Sequence, residues 1–467
     1  MKIKHQELVI PPNNPFENCK LKREPYAKVL TDIVTGFGDG FVLAINNEWG
    51  TGKTTFVKMW KQQLEDQQFK TVYFNAWEND FDNNPLVAIM SEMGNLVNNG
   101  NQELFKSVVQ KGAKLIKNVA PAILKAIANK YIDCDVLVDA IENTAKATTE
   151  AFEEEIKEYT SKKKSIVEFR KELEKFVRKI NDSKPLVFII DELDRCRPNY
   201  SVEVLEQVKH FFSVPGIVFV LSIDKKHLGS AIKGYYGSEQ IDSDEYLRRF
   251  IDLEYSIPEP STSLFIDYLY KYYQLQDFFL SKERKLNGIH NYEDTDLLRT
   301  ANLLFTKSNT TLRQQERIFA HTRLVLSSLK NKDFSFSNLL FILVYLKLMN
   351  NEIYKKIERN EYSLQQLSDT FYEILYFNKI PPFGLNFLYL ESLLLWFYNN
   401  DRDEKLKINL YTQDDKNNYI SDLKSNFETN DSTLGTYFKD LEYSIYCDYN
   451  LRYLLNKINL TESVTIA

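Results

Sequence analysis

The segment Phe41-Val-Leu-Ala-Ile-Asn-Asn-Glu-Trp-Gly-Thr-Gly-Lys-Thr-Thr allows few folds. An apolar run rich in β-formers ends in a glycine-bearing loop. A stretch with Phe56, Met59, Trp60 and Leu64 at helical spacing follows it. Strand, tight loop and helix in that order aim the free N–H groups of a helix's first turn at one point, which is how a backbone cradles phosphate. From Asn47 onward the loop matches G-x4-G-K-[ST], except that Asn47 stands for the first glycine. Gly50 and Gly52 permit close backbone approach and the φ values such a loop needs, and asparagine tolerates left-handed backbone better than most residues. Lys53 is expected to reach the β- and γ-phosphates and the Thr54 hydroxyl to sit on Mg²⁺. The expected nucleotide contacts are therefore Asn47, Glu48, Trp49, Gly50, Thr51, Gly52, Lys53, Thr54 and Thr55, with ATP and Mg²⁺ as cofactors.

A second apolar run, Leu186-Val-Phe-Ile-Ile, ends in Asp191-Glu-Leu-Asp-Arg. An aspartate at the tip of a buried strand can hold Mg²⁺ through water, and Glu192 beside it can orient and deprotonate an attacking water. Asp194 is a competitor for the base role. A further run, Val218-Phe-Val-Leu-Ser-Ile-Asp224, would lie between these two strands. That arrangement defines an ASCE-type sheet, with an added strand and its own catalytic glutamate. Ser222 or Asp224 would touch the γ-phosphate or the water there, although Asp224 is equally suited to capping the helix Lys225–Tyr236. Tyr246-Leu-Arg-Arg-Phe-Ile offers Arg248 or Arg249 as a cation presented to a neighbouring copy's nucleotide, or else as a solvated pair. Arg313, opening a later helix, could fold back onto the phosphates.

Runs at Phe41–Asn46, Thr71–Asn75, Leu186–Ile190, Gly216–Ile223 and Asp252–Ile257 alternate with helical patterns, which predicts a parallel sheet covered by helices. Between the second and third runs lie about 110 residues, far beyond a normal crossover. Pro85–Asn98 reads as the crossover helix. Leu104–Lys130 and Val136–Ile180, Lys-, Ala- and Glu-rich, read as a helical insertion spanning about 100–182. Past Pro258 and Pro260 the pattern is wholly helical, with Thr412–Thr433 a polar loop. The expected architecture is an α/β P-loop NTPase domain over 1–260 and an all-α domain over 261–467.

A chain of 467 residues is too long for one core. A net charge of −6 supplies no global basic field for nucleic acid. The four cysteines lie far apart without a CxxC pair, as in a cytoplasmic protein with reduced thiols. The N-terminal residues lack a signal-peptide run, and Leu339–Leu346 is too short to cross a bilayer. Trp77 reads as core packing at a strand end. His210, His227 and His321 read as scattered structural or surface residues.

Several segments together resemble the KAP family of P-loop NTPases, within the wider STAND/AAA+-like group. They are Asn14-Pro-Phe-Glu, Leu21-Lys-Arg-Glu-Pro-Tyr-Ala, Glu48-Trp-Gly-Thr-Gly-Lys-Thr, Phe74-Asn-Ala-Trp, Asp191-Glu-Leu-Asp-Arg-Cys-Arg-Pro, Tyr246-Leu-Arg-Arg-Phe-Ile and, more loosely, Thr311-Leu-Arg-Gln-Gln-Glu-Arg. Asn47 and Glu192 depart from the family's usual Gly and Asp. Many members carry transmembrane helices in the insertion, whereas here Lys106, Lys111, Lys114, Lys117 and Lys125 interrupt its apolar face. The resemblance implies nucleotide-dependent assembly, often near membranes, and for some bacterial members phage exclusion.

Three functions follow as expectations. The first is a switch or assembly ATPase forming a homo-oligomer through arginine contacts. The second is an ATPase acting on DNA with a nuclease or other effector partner, using Lys111–Lys130 and Lys162–Lys164 as a basic stripe. The third is a membrane-surface protein lying on Leu104–Lys130.

Overall fold

The structure, a computed structural model, describes residues 8–37, 40–81, 84–113, 115, 151–181, 183–210, 212–282, 284, 293–308, 310–330, 333–376, 386–427, 434–444, 446, 447 and 449–460. The chain divides into two compact units, one spanning Lys4–Glu259 and the other Pro260–Ala467.

The first unit runs α1 (Glu24–Gly36), β1 (Phe41–Asn46), α2 (Lys53–Asp66), β2 (Thr71–Asn75), α3 (Pro85–Met93), α4 (Gln102–Ala113), α5 (Ala151–Ile180), β3 (Leu186–Asp191), α6 (Pro198–His210), β4 (Ile217–Ile223), α7 (Lys225–Tyr236), α8 (Ser243–Leu247) and β5 (Leu253–Tyr255). Its five strands are all parallel, in the order β2-β3-β4-β1-β5, so β4 lies between the glycine-loop strand and the acidic strand. Every residue of β3 and β4 is buried, which explains their uninterrupted apolar runs.

Side chains alternate between two cores. Leu186, Phe188 and Ile190 of β3 join one formed with α3, α4, α5, α6 and α7. Val187 and Ile189 join the other, with Phe56, Met59, Trp60 and Leu64 of α2 and Ala27, Leu30 and Val34 of α1. The four apolar residues read at helical spacing are thus the buried stripe of α2. Trp60 Nε1 donates to Thr31 Oγ1 at 3.0 Å, which ties α2 to α1.

The described part of the insertion is a helical pair. Phe105, Val108 and Val109 of α4 are buried against Phe169, Leu173, Phe176 and Val177 of α5. Lys111 pairs with Glu168 at 2.8 Å, and Ser107 donates to Glu172 at 3.1 Å. The apolar face of α4 is therefore core, not a surface for lipid. Lys114, Lys117, Lys125 and the rest of 116–150 lie outside the described residues. No described helix is long and apolar enough to cross a membrane.

The second unit comprises α9 (Thr262–Tyr272), α10 (Leu275–Phe279), α11 (Glu293–Ser308), α12 (Leu312–Ser328), α13 (Ser337–Met349), α14 (Asn351–Glu358), α15 (Leu364–Leu375), α16 (Phe387–Asn400), α17 (Leu434–Glu442) and α18 (Leu451–Asn459). Capping boxes at Thr311/Gln314 and Ser363/Gln366 open α12 and α15. The unit is not wholly helical. Within the stretch read as a loop, β6 (Thr412–Gln413) and β7 (Tyr419–Ile420) pair as an antiparallel hairpin. Asp414 closes it by accepting from Lys416 N at 2.8 Å and Asn418 N at 2.7 Å, a turn whose short strands leave no periodicity to read.

Candidate active site

The carboxyl ends of β1, β3 and β4 meet at one edge, where parallel α/β sheets bind their ligands. Gly50 and Gly52 both adopt φ of 82°, in the left-handed region that favours glycine. Gly52 is the cap residue of α2, so the first-turn N–H groups of that helix open into the loop. Lys53 is buried and its ammonium donates to the carbonyls of Asn47 and Glu48, the latter at 3.1 Å. Burial holds its pKa below the usual lysine value, against the opposing pull of Asp194, Asp224 and Asp191. Thr51 Oγ1 donates to Glu48 O at 2.8 Å. Glu48 is exposed, while Thr54 and Thr55 are half-buried in the first turn of α2.

Asn47 has a use that its sequence position hides. Its Nδ2 donates to Ile257 O at 2.8 Å, and its Oδ1 accepts from Ile257 N at 2.9 Å. The side chain thereby extends the β1–β5 pairing beyond Tyr255, and the loop is anchored where glycine could not anchor it. Arg23 is a further residue that sequence reasoning missed. It is 4% exposed, donates through Nη1 to Gly52 O at 3.4 Å, and its buried Nε has no hydrogen-bond partner among the described residues. The signal was its segment, quoted for resemblance without a role.

At the tip of β3, Asp191 is buried, accepting from Tyr73 OH at 2.9 Å and from Glu192 N at 3.0 Å. Burial and this neighbouring carboxylate push the Tyr73 hydroxyl far up. Glu192 has φ of 60°, left-handed backbone that a non-glycine residue adopts at a cost of about 1 kcal/mol or more. Burial raises its pKa above the usual carboxylate range, against the pull of Arg195, whose Nη1 is 2.7 Å from Oε1. Asn75 Nδ2 donates to its other oxygen at 3.3 Å. Asp194 is buried too, and accepts from Trp49 Nε1. Burial raises its pKa, while the indole bond and Lys53 pull the other way.

Asp224 caps α7 by accepting from Lys226 N and His227 N, and its other oxygen accepts from Trp49 N at 3.1 Å. Of the two roles read for Asp224, the helix cap is present, and its second oxygen adds an anchor for the loop that sequence did not show. Ser222 stands beside Asp191 in register, fully buried, and its Oγ has no hydrogen-bond partner among the described residues. His227 is no scattered residue. Its ring stacks on Trp49 with centroids 3.6 Å apart and planes 7° apart. Trp77 is 53% exposed rather than core, because the chain leaves the sheet after Asn75 and its ring lies 5.5 Å from the Arg195 guanidinium. Arg248 is exposed at the end of α8, 3.0 Å from Glu245, and Arg249 beside it is exposed. Arg313 is exposed in the second unit, on α12.

A parallel sheet of this order with a glycine loop capping α2 and an acidic pair at the tip of the next strand but one defines a P-loop nucleotide-binding domain. The model of the KAP family P-loop domain matches residues 23–329, well over half of the chain, and the chain belongs to that family. No curated protein matches. Among solved structures, the ORC2 protein of Aeropyrum pernix, in ADPNP–ADP complexes, is 11% identical over 78% of this chain and 75% of that one, with a TM-score of 0.35. Drosophila ORC bound to DNA is 11% identical over 95% of this chain and 86% of that one, with a TM-score of 0.30. Likenesses this distant leave the chemistry to be argued from the residues.

Proposed function

We propose that the chain binds and hydrolyses ATP with Mg²⁺ and uses the cycle as a switch that assembles copies of itself. The observation that carries this is the convergence of Lys53 and the Gly50–Gly52 loop, after β1, with Asp191 and Glu192 at the end of β3, the two strands flanking β4. The loop N–H groups and Lys53 would hold the phosphates, and Thr54 with Asp191 would hold Mg²⁺, which supplies Lewis-acid stabilisation of phosphate charge. The fit is supported by the orphaned Ser222 Oγ beside Asp191 and by two buried cations, Lys53 and Arg23, that make no ion pair among the described residues. Glu192 serves as the base. It takes a proton from the attacking water as the bond between the γ-phosphorus and its bridging oxygen breaks, leaving ADP and phosphate. Glu192 stands at the strand tip directly after Asp191 and is less buried than Asp194, so it is the carboxylate better placed to meet water, and its raised pKa suits a proton acceptor.

Arg248 or Arg249, exposed on a short helix, would reach a neighbouring copy's site, and Arg313 would report nucleotide state to the second unit. At the described root of the insertion, Lys111 and Lys164 both face Glu168, which favours a solvated charged helix over a DNA-binding stripe. The setting we propose, phage defence in a bacterial cytoplasm, rests on the family resemblance.

Light scattering tests the switch. Mass should rise with ATP–Mg²⁺, stay high for Glu192→Gln, and not rise for Lys53→Ala or for Arg248→Ala/Arg249→Ala. A monomer that still turns over ATP would defeat the assembly reading and leave an ATPase stimulated by DNA or a protein effector.

A further inference from the structure

Arg195 entered the sequence reading only as a letter of the acidic motif. It closes the 3-10 turn Leu193–Arg195 directly after Glu192. Its guanidinium pairs with Glu192 Oε1 at 2.7 Å, and the two side chains are only 23% and 13% exposed. The same guanidinium lies 5.9 Å from the Trp49 ring centroid and 5.5 Å from that of Trp77. With Asn75 on the other oxygen, both carboxylate oxygens of Glu192 are engaged, and its backbone is held left-handed.

Two features set this apart from an ordinary ion pair. First, the cation is shared among one carboxylate and two indole faces. An arginine attracted by aromatic faces can exchange its anion without leaving them. Trp49 belongs to the phosphate loop, so those faces sit at the loop's mouth. Second, both Arg195, through the Trp49 ring, and Lys53, through the carbonyls of Asn47 and Glu48, border the phosphate loop. An anion held in that loop would lie near both cations.

We propose that Arg195 is the cation this chain supplies to its own site, exchanging Glu192 for the terminal phosphate of a nucleoside triphosphate. This rests on the nucleotide reading above. One side-chain movement then does two things: it neutralises phosphate charge and releases Glu192 to face water. A diphosphate has no γ-phosphate, so Arg195 stays on Glu192. Discrimination between triphosphate and diphosphate is thereby assigned to Arg195, and the pair Glu192–Arg195 becomes a restraint that only the triphosphate lifts.

The experiment is calorimetric titration of the full chain with ADPNP–Mg²⁺ and with ADP–Mg²⁺. Arg195→Gln should weaken ADPNP about tenfold, the loss of one charge-assisted contact, and leave ADP within about twofold. Arg195→Lys should recover part of the difference. Glu192→Gln breaks the same pair from its other end and should tighten ADPNP over ADP, a gain absent from Glu192→Gln/Arg195→Gln. The Glu192→Gln arm stands even if Arg195→Gln does not fold. Equal weakening of both nucleotides by Arg195→Gln would make it a structural residue and overturn the assignment. So would an unchanged ADPNP affinity, or a gain in Glu192→Gln that persists in the double variant. If the native chain bound neither nucleotide while remaining folded, the nucleotide reading itself would fall, and this assignment with it.

Discussion

Two buried clusters, one in each unit, hold their charge in opposite ways. In the helical unit, Arg284 is fully buried and paired with Glu293 at 2.6 Å, with its other terminal nitrogen on Asp333 O at 2.9 Å. Glu293 also accepts from Ser335 Oγ at 2.6 Å, and the Phe278 ring lies 4.4 Å from the guanidinium. At the sheet edge of the first unit, Lys53 and Arg23 donate only to backbone carbonyls among the described residues, Lys53 feeling Asp194, Asp224 and Asp191 without an ion pair, and the Ser222 hydroxyl has no hydrogen-bond partner there. A closed ion pair balances its own desolvation. Buried cations held only by carbonyls are balanced when an anion arrives. The contrast separates a structural cluster from a site without reference to any relative.

The largest effect that could break this comparison is on stability. Arg284→Met leaves the half-buried Glu293 without a cation, held among the described residues only by Ser335, and should cost about 3 kcal/mol. Arg284→Met/Glu293→Leu should recover much of that loss. Arg23→Met removes a cation with no carboxylate to strand, so it should cost under about 1 kcal/mol without ligand and should reduce the stabilisation that nucleotide confers. Melting of all three variants with and without ATP–Mg²⁺ checks this. If Arg23→Met proved as damaging as Arg284→Met in the absence of ligand, the open-cluster reading of the sheet edge would be wrong.

A smaller effect bears on how the loop is held. Asn47→Gly restores the glycine usual in such loops and deletes both hydrogen bonds to Ile257. At about 1 kcal/mol each, the expected loss is about 1–2 kcal/mol of stability. ATP affinity should rise by no more than about twofold, because the asparagine side chain points to the strand and not into the loop. A gain of tenfold or more would mean that Asn47 obstructs the loop.

Asn47 also marks how far sequence carries. The strand–loop–helix of residues 41–66, the acidic tip at Asp191 and the position of β4 were legible because each is a local signal: an apolar run, a glycine, a carboxylate at a strand end. Contacts across the fold were not legible. Asn47 reaches Ile257, Trp49 reaches Asp194 and His227, and Arg23 reaches Gly52, all across long stretches of chain. No periodicity encodes such pairings. Trp77 was misjudged for the related reason that hydrophobicity sets a preference for burial, while the turn at Asn75 sets direction. The β6–β7 hairpin escaped because two-residue strands carry no alternation.

The smallest effect concerns a titrating residue of the closed unit. His321 on α12 makes a 2.9 Å hydrogen bond between Nε2 and Ile458 O of α18. Burial lowers its pKa below the usual histidine value, the Ile458 contact opposes that, and the nearby Lys347 ammonium adds to the lowering. The neutral ring is therefore favoured in the folded state, and the unfolded chain takes up the proton first as pH falls. Below the ordinary value near 6.5 the unfolded state binds more protons, so stability declines with falling pH until the folded ring protonates as well. Denaturation of the native chain and of His321→Gln from pH 7.5 down to 5 should give curves that diverge below about pH 6.5, with the variant losing less. Nucleotide should leave that difference unchanged if the helical unit's buried charges are as self-contained as its ion pair. A nucleotide-dependent slope would mean that binding in the first unit alters the packing of α12 on α18.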